Sequence, residues 1–267
     1  MELSGTRVLI TGASRGIGEG LAIAFAAAGS RVALVARSEA PLRALAERLG
    51  GTAHAADLTD PVAREGLVAA IEADGGGPVD VLVNNAGIEV AAPIDRQRAE
   101  DVSDLFQLNL VAPVELVRQV LPGMIARRSG HVVNVSSQGG AVAFPGLSTY
   151  AASKSGLSTF TRGLTLDLHG TGVGTTIVEI GTVTTDMLAR LDQPGAYGPT
   201  VDSFNRTYAL RVQRRLSVEE VASAVVAAVT SGASAVRLPR RAMAFSLLAA
   251  APQRLAAGLM LGVKKRE

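Results

Sequence analysis

Seven short apolar runs recur along the chain, and a longer segment of helical character separates each run from the next. The runs are rich in Val, Ile and Leu and lack a polar alternation, which is typical of a parallel sheet covered by helices on both faces. Predicted strands occupy residues 8–11, 32–36, 52–56, 79–84, 131–136, 174–180 and 235–238. Ala-rich helical stretches such as 17–28, 40–49 and 219–230 lie between them. The alternation predicts a doubly wound α/β fold, whose ligand lies at the carboxyl ends of the strands.

Length and composition narrow the possible classes of protein. A chain of 267 residues fits one large α/β domain. It has no cysteine, which excludes a disulfide framework, a thiolate nucleophile and a cysteine metal site. His54, His131 and His169 are far apart and lack the spacing of metal ligands, so we expect no metal. An apolar strand follows the N-terminus at once, without the pattern of a signal peptide, which favours a cytoplasmic protein.

Charge is distributed unevenly between the body of the chain and its C-terminal end. From Ser231 onward there are seven basic residues and one acidic residue, whereas the remainder has 19 basic and 23 acidic residues. A basic tail favours an anionic partner, but no aromatic residues alternate with the basic ones, so we expect no nucleic-acid binding. We therefore divide the chain into a domain at 1–239 and a basic, apolar extension at 240–267.

The extension is too short in its apolar parts to cross a membrane. Residues 242–263 are mostly apolar, but Pro252, Gln253 and Arg254 interrupt them, leaving about ten residues on each side where a spanning helix needs ~20. We expect two short amphipathic helices. They either lie on an anionic membrane surface, making the protein peripheral to the membrane, or pack on the protein's own body or a neighbouring subunit.

A glycine-rich loop follows the first predicted strand and opens the helix at 17–28. It reads Thr-Gly-Ala-Ser-Arg-Gly-Ile-Gly over residues 11–18. Glycine lets the backbone turn sharply and approach a ligand closely, and a helix N-terminus offers N–H groups to a pyrophosphate. The loop predicts a dinucleotide site that includes Gly12, Ser14, Arg15, Gly16, Ile17 and Gly18.

The end of the second strand indicates which dinucleotide binds. Proteins that bind NAD place an acid here for the ribose 2′-hydroxyl, but this chain has Ala36 followed by Arg37 and Ser38. A guanidinium can bind a 2′-phosphate bidentately, and Arg15 can add a second positive charge. We therefore predict NADP(H), held at this end by Arg37 and Ser38. The alternative is that both arginines are ordinary surface residues in an arginine-rich chain.

Tyr150 and Lys154 stand four residues apart, so on a helix they share one face. The chain has 23 Arg and only three Lys, and the other two lysines are Lys264 and Lys265 near the C-terminus. A phenol titrates near pH ~10, and a neighbouring ammonium pulls its pKa toward neutrality. The pair predicts a proton donor for catalysis. An isolated pair at this spacing is more often a solvated helix face, so the prediction depends on the motifs upstream.

Five motifs occur in one order: residues 11–18, Asn-Asn-Ala-Gly at 84–87, Asn109, Ser136-Ser137 and Tyr150-x-x-x-Lys154. In this order and spacing, from residue 5 to about 240, the sequence resembles the short-chain dehydrogenases/reductases. The resemblance implies a Rossmann-type, seven-stranded parallel sheet, a nicotinamide cofactor and hydride transfer to or from a carbonyl. It also implies a homodimer or homotetramer, paired through helices around 102–126 and 150–168.

The resemblance assigns a role to each motif. Ser137 holds the substrate oxygen, since it stands at the family's distance before the tyrosine, a better match than Ser136. Tyr150 is the general acid, Lys154 lowers the tyrosine pKa and binds the nicotinamide ribose, and Asn109 anchors a water for proton relay. The remaining cofactor contacts implied are Asp57 and Leu58 at the adenine, Asn85, Ala86 and Gly87 beneath the cofactor, and Val183 and Thr185 at the nicotinamide amide.

Two further segments bear on the substrate. The family has Pro-Gly at the end of the sixth strand where this chain has Ile180-Gly181, so we expect the following loop to sit differently or to move more. Residues 187–215 match the family's substrate lid. Apolar residues are frequent in this lid: Met187, Leu188, Leu191, Tyr197, Phe204, Tyr208 and Leu210. They favour a bulky hydrophobic ketone or secondary alcohol. The lid also has four arginines, which are either solvated at the surface or contact an anionic group: Arg206, Arg211, Arg214 and Arg215.

Three hypotheses follow. The first is an NADPH-dependent reductase of a ketone, or the reverse oxidation of a secondary alcohol. The second is a catalytically silent scaffold or sensor that binds NADP, although such proteins tend to lose the tyrosine or the lysine. The third is a reductase of lipid-type substrates that the extension at 240–267 holds at a membrane surface.

Overall fold

The chain folds around one seven-stranded sheet in which every neighbouring pair of strands is parallel, with the order β3-β2-β1-β4-β5-β6-β7. The computed structural model describes residues 1–142, 144–189, 193 and 196–242. The strands are β1 (Arg7–Thr11), β2 (Arg31–Ala36), β3 (Thr52–Ala55), β4 (Val81–Asn84), β5 (Gly130–Ser137), β6 (Val173–Ile180) and β7 (Ala235–Leu238). The predicted Rossmann-type sheet is confirmed.

Helices connect the strands on both sides of the sheet. Within the described ranges they are α1 (Gly16–Ala27), α2 (Glu39–Leu49), α3 (Pro61–Arg64), α4 (Leu67–Ala73), α5 (Ala99–Phe106), α6 (Ala112–Arg127), α7 (Ser148–Asp167), α8 (Asp186–Ala189), α9 (Gly198–Ala209) and α10 (Val218–Ser231). A π-helical segment, Gln107–Val111, joins α5 to α6, so Ala99–Arg127 forms one continuous helix. By length and composition alone that helix could cross a membrane, but its Leu116 and Val120 pack in the core.

The apolar strand sequences are explained by burial on both faces of the sheet. Val8 and Ile10 of β1 pack in one layer with residues of α1, α2 and α10, whereas Leu9 packs in the other layer with residues of α4 and α6. Because alternate residues enter different cores, no position in the strand is left for a solvated polar side chain. The sequence therefore shows a continuous apolar run where a half-exposed strand would alternate.

The predicted strand ends agree with the observed ones to within two residues, and the seventh strand has the predicted bounds. The fourth strand begins at Val81 instead of residue 79, because the Val79 N–H donates to Glu72 Oε1 at 2.9 Å and not to a neighbouring strand. The loop before β4 is further held by Asp80, whose carboxylate accepts from the Arg7 N–H at 2.8 Å. Backbone bonds that join Asp80 to Arg7 and to His131 continue the ladder at this end, and the side chains add to it.

The strand order reverses between β1 and β4, and the loops that follow β1, β2, β4, β5 and β6 meet at one edge of the sheet. This is where a doubly wound sheet binds ligands. Parts of two predicted segments lie outside the described residues, namely 190–192 and 194–195 of the lid and 243–267 of the extension. The division at 239/240 and the contacts of the extension therefore remain predictions.

Candidate active site

The loops after β1 and β4 are locked together at the point where strand order reverses. The Thr11 hydroxyl oxygen accepts hydrogen bonds from the backbone N–H groups of Asn85 and Ala86, each at 3.0 Å. In return, Asn85 Nδ2 donates to the Thr11 carbonyl at 3.0 Å. Gly12 has φ +65°, and a Cβ there would lie 2.8 Å from the Ala86 Cα. The glycine-rich loop and the Asn-Asn-Ala-Gly motif are therefore held together by hydrogen bonds.

The start of α1 provides an anion-binding end beside this unit. A Cβ at Gly18 would lie 2.1 Å from the Gly12 carbonyl oxygen, so the loop can fold back onto the helix only with glycine at this position. Arg15 precedes the helix as its N-cap and makes no side-chain capping bond. The first N–H groups of a helix have no intrahelical partner, and they suit a phosphate.

Two exposed arginines lie near the start of α1 and just after the end of β2. Arg37 Nη1 lies 3.7 Å from Asp57 Oδ2, and Arg15 Nη1 lies 3.7 Å from Asp186 Oδ2, with all four side chains accessible to solvent. Burial acts to raise the pKa of Asp57, but hydrogen bonds from Thr59 and the nearby Arg37 charge outweigh it and lower the pKa. Long, exposed ion pairs of this kind are weak, so a phosphate can replace the carboxylates.

Nearly every residue predicted to hold a dinucleotide lines one continuous cleft. These are Gly12, Ser14, Arg15, Gly16, Ile17, Gly18, Arg37, Ser38, Asp57, Leu58, Asn85, Ala86, Gly87 and Thr185. The other three predicted contacts line an adjoining cavity, which we call the Tyr150 cavity: Val183, Tyr150 and Lys154. Gly87 and Thr185 line both spaces.

The Tyr150 cavity contains the predicted catalytic hydroxyl groups. Ser137 is the last residue of β5, and Tyr150 lies in the first turn of α7. Their side chains are hydrogen-bonded to each other, and the Gly139 N–H donates to Ser137 Oγ at 3.0 Å. Ser136 is committed elsewhere, since its buried hydroxyl donates to the Lys154 carbonyl at 3.0 Å and also bonds the Ser158 hydroxyl. The geometry agrees with the choice of Ser137 over Ser136.

Lys154 lies between the cavity and the loop after β4. Its Nζ donates to the Val135 carbonyl at 2.9 Å, and a Cβ at Gly87 would lie 3.3 Å from that nitrogen. Burial lowers the pKa of Lys154 to about 8. The cavity thus combines two hydroxyl donors with one buried amine beside the dinucleotide cleft.

Comparison with known proteins identifies this arrangement. A family model described as short chain dehydrogenase matches residues 6–195. The chain belongs to the short-chain dehydrogenase family. It is 38% identical over 194 residues to the 3-oxoacyl-(acyl-carrier-protein) reductase FabG of Vibrio cholerae, a match covering 72% of this chain and 79% of that protein.

Solved structures of short-chain dehydrogenases share the fold over nearly the whole chain. A short-chain dehydrogenase from Sphingobium yanoikuyae in complex with NADPH superposes with a TM-score of 0.78 at 29% identity, covering 98% of both chains. A metagenomic short-chain oxidoreductase in complex with NADP gives a TM-score of 0.70 at 30% identity, covering 89% of this chain and 98% of the other.

In this short-chain dehydrogenase the predicted effect of Lys154 on the Tyr150 pKa is wrong. Burial raises the pKa of Tyr150 above its ordinary value, the Glu89 carboxylate raises it further, and the hydrogen bond with Ser137 only partly opposes them. The Lys154 ammonium donates to the Val135 carbonyl, and its charge is not among the influences on the tyrosine.

Asn109 has a structural task that the sequence did not reveal. It lies in the π-helical segment and is fully buried. Its Oδ1 accepts from the Ile88 N–H at 2.9 Å, while Nδ2 donates to the Ile88 carbonyl at 2.9 Å and to Ser153 Oγ at 3.1 Å. The side chain therefore fixes the loop after β4 against α7. Its role as a water anchor stays a prediction.

A pair of buried amides at the end of the cavity was not predicted. Gln138 Nε2 donates to the Leu238 carbonyl at 3.0 Å, and Gln138 Oε1 accepts from Gln213 Nε2. Gln213 Oε1 has no hydrogen-bond partner among the described residues. A Cβ at position 181 would lie 2.1 Å from that oxygen, so Gly181 makes room for the amide. No sequence motif marks these glutamines.

The loop after β6 and the lid close the Tyr150 cavity. Ile180, which replaces the family's proline, stays in β6 in register with Ser137 and Leu238, so the strand is intact up to Gly181. Three lid residues predicted to be apolar contacts line the cavity: Met187, Leu188 and Phe204. Phe204 also stacks on Phe144 with ring centroids 4.8 Å apart. Leu210, by contrast, is exposed to solvent.

Proposed function

We propose that this short-chain dehydrogenase uses NADPH to reduce a ketone on a hydrophobic substrate, or NADP⁺ to oxidise the corresponding secondary alcohol. One observation carries the proposal. The hydroxyl groups of Ser137 and Tyr150 are hydrogen-bonded to each other in an apolar cavity that adjoins the dinucleotide cleft. Lys154 lines the same cavity beside Gly87, which lines both spaces.

The residues of the cleft fit a nicotinamide dinucleotide phosphate. Because Gly12 and Gly18 have no Cβ, the loop packs closely against Ala86 and against itself, and the N–H groups at the start of α1 would hold the pyrophosphate. Arg15 and Arg37 would hold the 2′-phosphate, and the NADPH and NADP complexes of related structures support this choice. Further contacts are proposed for Ser38, Asp57, Leu58, Lys154, Val183 and Thr185.

Two hydroxyl groups of the protein would hold the reacting oxygen. When bound, NADPH supplies a hydride to the carbonyl carbon. Negative charge then builds on the substrate oxygen, and donors from Ser137 and Tyr150 stabilise it where water is largely excluded. Tyr150 transfers its proton to this oxygen, and the phenolate that remains would be reprotonated from solvent through the Lys154 ammonium and a water that Asn109 would anchor. Proton transfer from a positioned acid contributes ~10²–10⁴-fold.

The similarity to a 3-oxoacyl reductase supports reduction as the working direction. A general acid must carry its proton before the chemical step, and the pKa of Tyr150 lies above its ordinary value because of burial, so the phenol is protonated at neutral pH. We therefore propose that the protein acts as a ketoreductase.

The lining of the cavity supports an apolar substrate. The side chains that surround Ser137 and Tyr150 are largely apolar: Phe144, Leu147, Ile180, Val183, Met187, Leu188 and Phe204. Similarity to a 3-oxoacyl reductase makes 3-oxoacyl thioesters the first class to test. Assembly as a homodimer or homotetramer through α5–α6 and α7 is part of the proposal and is checked by size-exclusion chromatography with light scattering.

The test follows loss of NADPH absorbance with 3-oxoacyl thioesters and plain ketones of graded chain length. Wild-type protein is expected to consume NADPH, and Tyr150→Phe to lose at least ~10²-fold in kcat while still binding NADPH. Tyr197→Phe is the matched control, because it deletes a phenol hydroxyl outside both the cleft and the cavity. Turnover retained in Tyr150→Phe would overturn the proposed role.

A further inference from the structure

A second, strongly basic recess lies next to the Tyr150 cavity. Four arginines line it, two from the loop after α9 and two from the turn after β7: Arg211, Arg214, Arg240 and Arg241. We call this recess the arginine groove. Among the described residues that line it, the only carboxylate is Glu220, which forms a bidentate pair with Arg214. Within this part of the chain, three guanidinium charges of the groove are therefore not balanced by its lining.

Arg211 has an unusual backbone conformation, which Arg128 at the end of α6 shares. The Arg211 N–H donates to the Tyr208 carbonyl and the Val212 N–H to the Thr207 carbonyl, which is the pattern of a Schellman motif ending α9. Arg211 occupies the position where glycine is usual, with φ +55°. An arginine there is strained, so glycine at position 211 would keep the turn and remove only the guanidinium group.

The groove and the Tyr150 cavity share a wall. Gln213 lines both, and it is 8% exposed. Its bond to Gln138, which in turn donates to Leu238, holds the Gln213 side chain where the two spaces meet. A ligand that reaches from the cavity into the groove would pass the Gln213 amide.

From these observations we infer that the arginine groove binds the phosphate groups of a thioester carrier of the coenzyme A type, whose acyl chain enters the Tyr150 cavity. Guanidinium groups bind phosphate bidentately, and a recess suits point anions better than it suits the flat face of an acidic protein. The inference rests on the proposed function, because it names the substrate class of the same site.

Kinetics with two thioesters of the same 3-oxoacyl chain test the inference. One is the coenzyme A thioester and the other the uncharged N-acetylcysteamine thioester. Arg211→Gly and the double variant Arg240→Gln/Arg241→Gln are expected to raise KM for the coenzyme A thioester about tenfold or more, with kcat and the truncated substrate unaffected. Arg206→Gln, an exposed charge on α9 outside the groove, is the matched control.

Arg211→Gly separates binding from folding. Glycine relieves the strain at φ +55°, so this variant is expected to unfold at higher temperature than wild type while binding the anion less tightly. Lost coenzyme A selectivity together with unchanged or higher stability supports the groove. Unchanged KM in both groove variants, or an equal rise for both thioesters, would overturn it.

Calorimetry measures binding to the groove without requiring that any thioester is reduced. Free coenzyme A is titrated into protein saturated with NADP⁺, which blocks the dinucleotide cleft. Binding that weakens in the groove variants supports the groove even if neither thioester is reduced, in which case the proposed function fails alone. Absence of binding to wild type overturns the groove even if the truncated thioester is reduced.

Discussion

Replacing Arg37 by aspartate should change which cofactor the protein prefers. The Arg37 guanidinium is 62% exposed and lies 3.7 Å from an Asp57 carboxylate that is 43% exposed. An exposed pair of this kind contributes about 0–1 kcal/mol, so the fold should tolerate its loss. A charge-assisted bond to a 2′-phosphate contributes about 1.5–3 kcal/mol, which is roughly 10- to 150-fold in Kd. Two adjacent carboxylates would repel the phosphate as well, so we expect ~10²-fold weaker NADPH binding.

The assay is a titration of NADPH and NADH against each variant, followed by fluorescence of the reduced nicotinamide. NADH lacks the 2′-phosphate, so its Kd should change little in Arg37→Asp. Arg43→Asp is the control, because Arg43 is 68% exposed, pairs with Glu39 on α2 and does not line the cleft. An NADPH-to-NADH affinity ratio that stays the same in Arg37→Asp would refute the assignment of the 2′-phosphate.

Three further outcomes follow from the structure. Ser137→Ala should lower kcat by about 10²-fold or more. Ser136→Ala should instead lower the free energy of unfolding by roughly 1–3 kcal/mol, with little change in kcat. Equal losses of kcat in the two variants in steady-state assays would contradict this. Because the pKa of Lys154 is about 8 in the folded protein, the lysine loses its charge as the pH rises through that value. The affinity for NADPH, titrated as a function of pH, should therefore fall near pH 8 in the wild type and not in Lys154→Arg. Burial lowers the pKa of His131 to about 4, against 6.5 in the unfolded chain. The neutral imidazole therefore stabilises the fold fully above pH 6.5, and the free energy of unfolding should fall by roughly 3 kcal/mol as the pH is lowered toward 4. Urea unfolding at stepped pH should show a smaller pH dependence of this free energy for His131→Gln.

The sequence was sufficient to predict structure wherever the constraint is local or recurs along the chain. Unbroken apolar strands predicted a sheet buried on both faces, and Val8, Leu9 and Ile10 enter alternate cores as required. The glycines of the first loop were recognisable because only glycine permits the approach of Gly12 to Ala86. The cleft residues followed from the motifs and the resemblance, and they do line one space.

Long-range partners could not be predicted in the same way. Gln138 bonds Gln213 and Leu238, which are 75 and 100 residues away, and no periodicity relates the three. Asn109 was marked by the resemblance, yet its bonds to both backbone groups of Ile88 depend on how α5–α6 packs. Such contacts are set by tertiary packing and leave no local signal.

The Tyr150 pKa shows why a titration cannot be read from spacing. Two residues four apart on a helix predicted a lysine acting on a phenol. Burial dominates the outcome instead, and the charge of Glu89, which lines the same cavity, adds to it. The chemistry proposed for the site is unchanged, but the reason for the tyrosine's protonation state differs.

Mass spectrometry of the product formed with NADPH deuterated at the nicotinamide C4 tests the central claim most directly. The account predicts that a 3-oxoacyl or other hydrophobic ketone gives an alcohol with one deuterium on the carbinol carbon, at a rate that depends on Tyr150. An alcohol without that deuterium, or labelled product formed equally fast by Tyr150→Phe, would contradict it.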